Sequence, residues 1–306
     1  MASQVEIQAM RHAIALSAHG LGTTSPNPPV GCVVLDGQGR ILGEGYHHRK
    51  GEAHAEGNAL CAAGGTAIGA TAIVTLEPCN HVGRAPACRQ LLIDAGIVRV
   101  VVALVDPTSR GEGGVAALRN AGVEVEVGVL ADEAELVLGP WLSALRTGRP
   151  TITWSYIADV AGPASALDRM PGVMELRKGV DAVLHADGRL EEGILGGHGA
   201  GMINIPSRIH GDGDTALRSL YAGGVRSLLI DGGAGLTEPL LSEGLIDYVV
   251  AYLPHMSPSS STGLGHEIVL AGFRITQISR TADHVCVHAR REAAAPVIHR
   301  GSFAGE

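Results

Sequence analysis

Short apolar runs alternate with helix-patterned stretches through most of this sequence, and several of the helical stretches stop at glycine. Ile7, Met10 and Ile14 recur at helical spacing. Gly31 to Leu35 and Arg40 to Glu44 flank Asp36-Gly37-Gln38-Gly39 and predict a hairpin. The pattern then predicts a helix over Ala53 to Ala63 and a strand over Ala72 to Leu76. A helix over Cys88 to Asp94, a strand over Val98 to Val105, a helix over Val115 to Asn120 and a strand over Val123 to Val127 follow. Strands joined by helices predict a parallel or mixed sheet between helical layers.

The helical stretch Ala131 to Leu145 leads into Thr147-Gly148-Arg149-Pro150, where a domain boundary is expected. With 306 residues the chain is comfortable as two domains, 1–147 and 148–306. The second half alternates too: Thr151 to Ile157, Ala182 to Leu184, Ser227 to Ile230 and Tyr248 to Leu253 read as strands. Thr215 to Tyr221 and Glu238 to Glu243 read as helices. Gly193 to Gly201 and Ser257 to Gly265 read as loops. Because aromatics are only 3% of the chain, both cores must rely on Ala, Val, Leu and Ile.

A net charge of -8 without any Lys/Arg block disfavours a nucleic-acid polymer as substrate and favours a small molecule. No apolar run is long enough to predict a membrane span, and Met1 to Glu6 do not resemble a signal peptide. Five cysteines in such a chain suit a reducing, cytoplasmic setting, where they serve as metal ligands or core residues. Cys32 and Cys61 are expected in the core, and Cys286 in a strand.

Three fragments carry chemistry: His54-Ala55-Glu56, Glu77-Pro78-Cys79 after a strand, and Pro86-Ala87-Cys88 at a helix start. An imidazole and two thiolates give a catalytic zinc three protein ligands and leave one position for water. Zinc brings the pKa of that water toward neutrality, and a nearby carboxylate can then carry its proton to a leaving nitrogen. His54, Cys79 and Cys88 are the candidate ligands and Glu56 the candidate shuttle. The expected arrangement puts His54 and Glu56 in the first turn of one helix, with both cysteines near helix N-termini, where thiolate is favoured. Taken singly, each fragment is common; a structural zinc or two core cysteines are the competing readings. Their order and their strand-then-helix setting match the pattern of zinc nucleobase deaminases, except that eight residues separate Cys79 from Cys88 instead of two. That insert carries His81 and Arg84, which suit a phosphorylated substrate.

Longer strings then resemble one family, the bifunctional riboflavin-biosynthesis deaminase–reductases. They are Ser25-Pro26-Asn27-Pro28, Val30-Gly31, Gly45-Tyr46-His47, His54-Ala55-Glu56, TLEPCNH from Thr75 to His81, Gly83-Arg84 and Asp106-Pro107. The resemblance implies a cytidine-deaminase-like three-layer α/β/α domain followed by a dihydrofolate-reductase-like α/β domain. It also implies removal of the 2-amino group from a 2,5-diamino-6-(ribosylamino)pyrimidinone 5′-phosphate. Asn27 and His47 would contact the base, and His81 and Arg84 the ribose phosphate, with Asp106 also on the substrate side. Asn27 between two prolines also suits a plain turn, and Arg84 a solvated loop. Where the family has Asp-Pro-Asn-Pro, this chain has Asp106-Pro107-Thr108-Ser109, so an asparagine that helps hold the sugar phosphate is missing. This leaves open a related aminated heterocycle as substrate.

From Arg149 onward the resemblance is eroded. The lysine expected in the first strand is replaced near Ser155, and Ser-Leu-Asp-Gly by Asp159-Val160-Ala161-Gly162. The cofactor-facing Val-Gly-x-Gly-Thr loop is His185-Ala186-Asp187-Gly188-Arg189, and Glu-Gly-Gly is Asp231-Gly232-Gly233. A nicotinamide cofactor needs a glycine-rich loop against its phosphates. The expectation is therefore zinc without NADPH, and a degenerate reductase-like half that pairs subunits into a homodimer or shapes the deaminase pocket. A fully bifunctional enzyme and a non-catalytic binding paralogue are the alternatives.

Overall fold

A computed structural model describes residues 1–64, 67–81, 86–109, 111–159, 162–166, 170–232, 234–254, 270–280 and 284–292. Arg84, Val160, Ala161, Gly233 and the Ser257 to Gly265 loop lie outside the described residues. In chain order the first half contains α1 (Gln4–Ser17), β1 (Gly31–Leu35), β2 (Ile41–Tyr46), α2 (Ala55–Ala62), β3 (Thr71–Leu76) and α3 (Cys88–Asp94). Then come β4 (Arg99–Leu104), α4 (Gly113–Asn120), β5 (Glu124–Val127) and α5 (Ala131–Thr147). All the elements expected in this half are present, with ends shifted by a few residues.

The strands form one sheet in the order β2-β1-β3-β4-β5. The β1–β2 hairpin and the β1–β3 pair are antiparallel, whereas β3, β4 and β5 run parallel. Alternation along each strand sends side chains to two separate cores. Cys32, Val34, Val74, Val100 and Val102 pack with Ala55 and Ala59 of α2, Leu92 of α3 and Leu118 of α4. Val33, Ile73, Val101 and Ala103 pack on the opposite side with Met10 and Ala13 of α1 and Ala134 and Val137 of α5. A sheet of strands buried on both faces reads as apolar runs, which is why the runs were conspicuous in the sequence. The result is the expected three-layer α/β/α arrangement.

Helix α1 is fastened to the sheet edge by charge. Ser3 and Glu6 form a reciprocal capping box, and the Glu6 carboxylate also accepts from Arg99 Nε at 2.6 Å. Burial opposes ionisation of Glu6, but the Arg99 guanidinium and the Ser3 cap outweigh it and hold the carboxyl below its ordinary value of 4.5. A depressed folded-state pKa means that the stabilisation is complete above that ordinary value and fades as pH falls through the folded one. Glu6→Gln is expected to cost about 1–2 kcal/mol at neutral pH. Melting curves at successive pH values check this, because the gap to the parent should narrow as pH drops toward 3.

Helix α5 ends where Gly148 takes a left-handed conformation (φ 68°), a position that favours glycine. Arg149 follows, buried, and its guanidinium forks onto Asp247 at 2.7 and 2.9 Å. Asp247 in turn accepts from the Ile152 amide at 2.8 Å. The second half contains β6 (Thr151–Asp159), β7 (Gly162–Ala164), α6 (Pro171–Lys178), β8 (Ala182–His185), β9 (Leu190–Glu192), α7 (Gly213–Ala222) and β10 (Ser227–Asp231). It closes with α8 (Ala234–Ser242), β11 (Tyr248–Pro254), β12 (Phe273–Arg280) and β13 (His284–Arg291). The sheet order is β12-β13-β11-β6-β10-β8-β9, with β7 alongside β6. Its four central strands are parallel. Helices α7 and α8 cover one face through Leu217, Leu220 and Leu240, and α6 covers the other through Val173. Among the described residues no helix is long and apolar enough to cross a membrane.

The sequence expectation for Cys61 needs correction. Cys61 is exposed: α2 buries Ala55, Glu56 and Ala59, so Cys61 points off the packed side. His185 to Arg189 form a tight turn closing the antiparallel β8–β9 hairpin, with the His185 amide donating to Arg189 O at 2.9 Å. The hairpin partner, β9, is only three residues long and gave no periodic signal.

Candidate metal centre and deaminase pocket

The site lies at one end of the first sheet. His54 is the N-cap of α2, with extended backbone (φ -72°, ψ 169°), and so sits just outside the helix expected to contain it. Glu56 is in the first turn of α2, buried. Cys88 is the first residue of α3. Cys79 stands on the loop after β3 rather than on a helix. Its sulfur nevertheless accepts from the Cys88 amide at 3.2 Å, so the α3 N-terminus points at it.

The ligand atoms of His54, Cys79 and Cys88 all lie within 4.8 Å of one another. Cys88 Sγ is 3.3 Å from His54 Nδ1. Donation from Cys88 stabilises the Cys79 thiolate and lowers its pKa, while the same contact pushes Cys88 up. A thiolate is the form a metal needs. Bonding to Cys79 raises His54, and burial raises Glu56, a carboxyl thereby suited to holding a proton nearer neutrality. An imidazole and two sulfurs in a partly buried cluster, beside a buried carboxyl, fit a catalytic zinc with one open position.

A cavity of about 190 Å³ opens above this cluster. Its walls bring Asn27, His47, His81 and Asp106 together with His54, Glu56 and Cys79. Cys88 lines the adjoining cavity with His54 and Cys79. His47 is buried, and that burial pulls it down to about 4, so the ring is neutral at pH 7. Its two nitrogens face Ala53 O at 3.1 Å and Asn27 Nδ2 at 3.3 Å. A neutral ring donates through Nδ1 to the carbonyl and accepts at Nε2 from the Asn27 amide. That leaves Asn27 Oδ1 and one amide hydrogen for a ligand. Asp106 Oδ1 accepts from the Thr108 amide at 2.8 Å and hydroxyl at 2.7 Å, which fixes the carboxylate at the cavity wall.

Trp141, with no distinctive sequence signal, and Glu77, named in the sequence only as part of the cysteine fragment, complete the pocket. Trp141 of α5 lines it and donates through Nε1 to Pro26 O at 3.0 Å, holding the Pro26-Asn27-Pro28 segment in place. Glu77 is buried and accepts from the amides of Asp106 (3.1 Å) and Val115 (2.9 Å). It thus joins the end of β3 to the loop after β4 and caps α4 from another strand. Gly114 makes this junction possible, since a Cβ there would lie 1.8 Å from Pro78 O.

A family model for the cytidine and deoxycytidylate deaminase zinc-binding region matches residues 3–104, and one for the RibD C-terminal domain matches residues 198–256. The riboflavin biosynthesis protein RibD of Corynebacterium ammoniagenes is 33% identical over 322 residues, covering 92% of this chain and 94% of that protein. The chain belongs to the RibD family. It is a zinc-binding hydrolytic deaminase of riboflavin biosynthesis, with a reductase-like half that is short and only partly matched. The diaminohydroxyphosphoribosylamino-pyrimidine deaminase of Buchnera aphidicola subsp. Schizaphis graminum is 45% identical over 142 residues, 46% of this chain and 96% of that protein. Six other RibD proteins are matched over only 38% to 48% of their length. The crystal structure of the Thermotoga maritima diaminohydroxyphosphoribosylaminopyrimidine deaminase/5-amino-6-(5-phosphoribosylamino)uracil reductase covers 94% of this chain and 99% of its own. It superposes with a TM-score of 0.76 at 27% identity. This RibD chain thus shares the fold along nearly its whole length, while sequence similarity is concentrated in the deaminase half.

Proposed function

We propose that this RibD protein removes the 2-amino group from a 2,5-diamino-6-(ribosylamino)pyrimidinone 5′-phosphate, and that its reductase-like half does not reduce the product. The observation that carries the first part is the convergence of three metal donors and the buried Glu56 under a cavity walled by Asn27, His47, His81 and Asp106. Zinc held by His54, Cys79 and Cys88 supplies Lewis-acid activation of the attacking water. Glu56 takes one proton from that water and passes it to the ring nitrogen beside the reacting carbon, then takes the remaining proton from the newly attached hydroxyl and delivers it to the departing amine. The C–N bond breaks, a carbonyl replaces the amine, and ammonia leaves. Asn27, oriented by neutral His47, offers a donor and an acceptor to the edge of the heterocycle. Asp106 accepts from sugar hydroxyls, and His81 stands on the phosphate side, with Arg84 assigned there by the sequence alone.

Loss of the reductase reaction is supported by what covers the strand ends of the second sheet. The segment expected to face a cofactor is the tight His185 to Arg189 turn. At Asp231-Gly232, Asp231 accepts from Ser165 Oγ and from the Ala166 amide at 2.8 Å, and a Cβ on Gly232 would lie 2.6 Å from Ser165 N. The chain's own backbone lies against the glycine that a dinucleotide phosphate would have to approach.

One assay addresses both parts. Zinc-loaded protein given the diamino substrate should release one ammonia per molecule, and adding NADPH should produce no fall in absorbance at the nicotinamide band. Absence of ammonia release removes the deaminase reading; steady NADPH oxidation dependent on the deaminated product removes the second.

A further inference from the structure

The glycine-rich stretch after β9 has no periodicity and takes no part in the second sheet, yet it is held firmly. His198 is buried, and its Nε2 lies 3.0 Å from Asp181 Oδ1. Asp181 also accepts from the amides of Arg226 and Ser227, at the start of β10. At the far end of the stretch, the Asn204 amide donates to Gly223 O at 2.7 Å. Ile203 packs at Gly224, where an added methyl would lie 3.2 Å from its side chain and 3.6 Å from the Pro26 ring. The stretch is therefore wedged between the turn after α7 and the first half's Pro26-Asn27-Pro28 segment.

This placement brings Met202 to the rim of the deaminase site. A cavity of about 340 Å³ adjoins the metal cluster, lined by His54, Cys79, Cys88 and His81 on one side and by Lys50 and Met202 on the other. Lys50 Nζ donates to Met202 O at 3.2 Å. Among the described residues Lys50 is the only permanent cation lining either this cavity or the smaller one beside it. Glu52 shares the rim but stands 3.9 Å from His48, and Lys50 forms no ion pair among the described residues. An ammonium has three donors, and one of them is spent on a backbone carbonyl. Two donors and an uncompensated charge remain.

We infer that Lys50, tethered to the second half through Met202, is a specificity-determining residue that receives the phosphate of the deaminase substrate. This rests on the proposed function for the identity of the substrate, though not for the presence of an anion site. The second half then has a task in deamination: its loop from Gly193 to Asn204 is the outer wall of the pocket and sets where the cation stands. A flexible lysine on a surface turn would otherwise lose most of its value to side-chain entropy. Fixing one donor on Met202 O removes part of that loss before the substrate arrives.

The test compares Lys50→Met, Lys50→Arg and Met202→Trp with the parent, all zinc-loaded. In Lys50→Met, preference for the phosphorylated over the dephosphorylated substrate, read as the ratio of kcat/KM values, should fall about 10–100-fold, mainly through KM. Lys50→Arg keeps the charge and should recover most of the ratio. Met202→Trp narrows the cavity and should raise KM, with zinc content and melting temperature unchanged. Ribose 5-phosphate binding, followed by calorimetry, provides an arm that needs no turnover: the parent should bind it at least tenfold more tightly than Lys50→Met. Equal ribose 5-phosphate affinity in the parent and Lys50→Met overturns the inference whatever the substrate proves to be. An unchanged ratio in Lys50→Met does the same where the parent is active. A parent that binds ribose 5-phosphate through Lys50 but releases no ammonia would instead count against the proposed substrate alone.

Discussion

Glu56→Gln should retain one zinc per chain and lose at least about a thousandfold in kcat, toward the upper part of the range that general acid–base catalysis supplies. Glutamine has nearly the volume of glutamate, so the α2 packing around Ala55 and Ala59 is kept, and the three metal donors lie outside the substitution. What disappears is the group that exchanges protons. Glu56 is 3% exposed and its pKa is raised by burial, so no solvent base has easy access to replace it. Metal analysis beside an ammonia-release assay reads both halves of the expectation. Retained turnover would remove Glu56 from the mechanism; lost zinc would make it part of the metal's support instead.

Glu77→Ala should be the most damaging substitution outside the metal cluster. Glu77 accepts two backbone amides, one from the loop after β4 and one from the first turn of α4. Removing a buried carboxylate with two such bonds costs about 3–5 kcal/mol, because both amides are left unsatisfied away from water. The same residue begins the Glu77-Pro78-Cys79 turn, so zinc affinity should fall together with stability. Denaturant unfolding with and without zinc distinguishes this from simple loss of fold. A variant that unfolds near the parent midpoint and binds zinc as tightly would show that Gly114 and Pro78 hold the turn by packing alone.

The metal cluster was legible because chemistry restricts it to few residue types in short strings. His54-Ala55-Glu56 and the two cysteines needed no knowledge of the fold. The first sheet was legible for a different reason: strands buried on both faces leave unbroken apolar runs. Trp141 and the Lys50–Met202 contact were invisible because each depends on segments far apart in sequence being brought together, and neither has a periodicity or a spacing; Glu77 stood inside a chemical fragment, but its two amide partners on distant segments were invisible for the same reason. The expectation that Cys61 is in the core failed on a matter of a single helical turn, since α2 is short and its buried positions are Ala55, Glu56 and Ala59. Strand β9 escaped notice for want of length, and β12, exposed along most of its course, for want of a buried face.

At the contact between Ser165-Ala166 and the Asp231-Gly232 turn, the Asp231 carboxylate accepts from the Ser165 hydroxyl and the Ala166 amide, and the Ser165 backbone lies against Gly232. Side chains can be exchanged by single substitutions, but main chain cannot be removed that way. A lineage that has laid its own backbone over such a seat can clear it only by inserting or rerouting a segment, and every intermediate would have to fold. On the proposed reading, exchanging Asp231 alone would still leave the Ser165 backbone in place against Gly232.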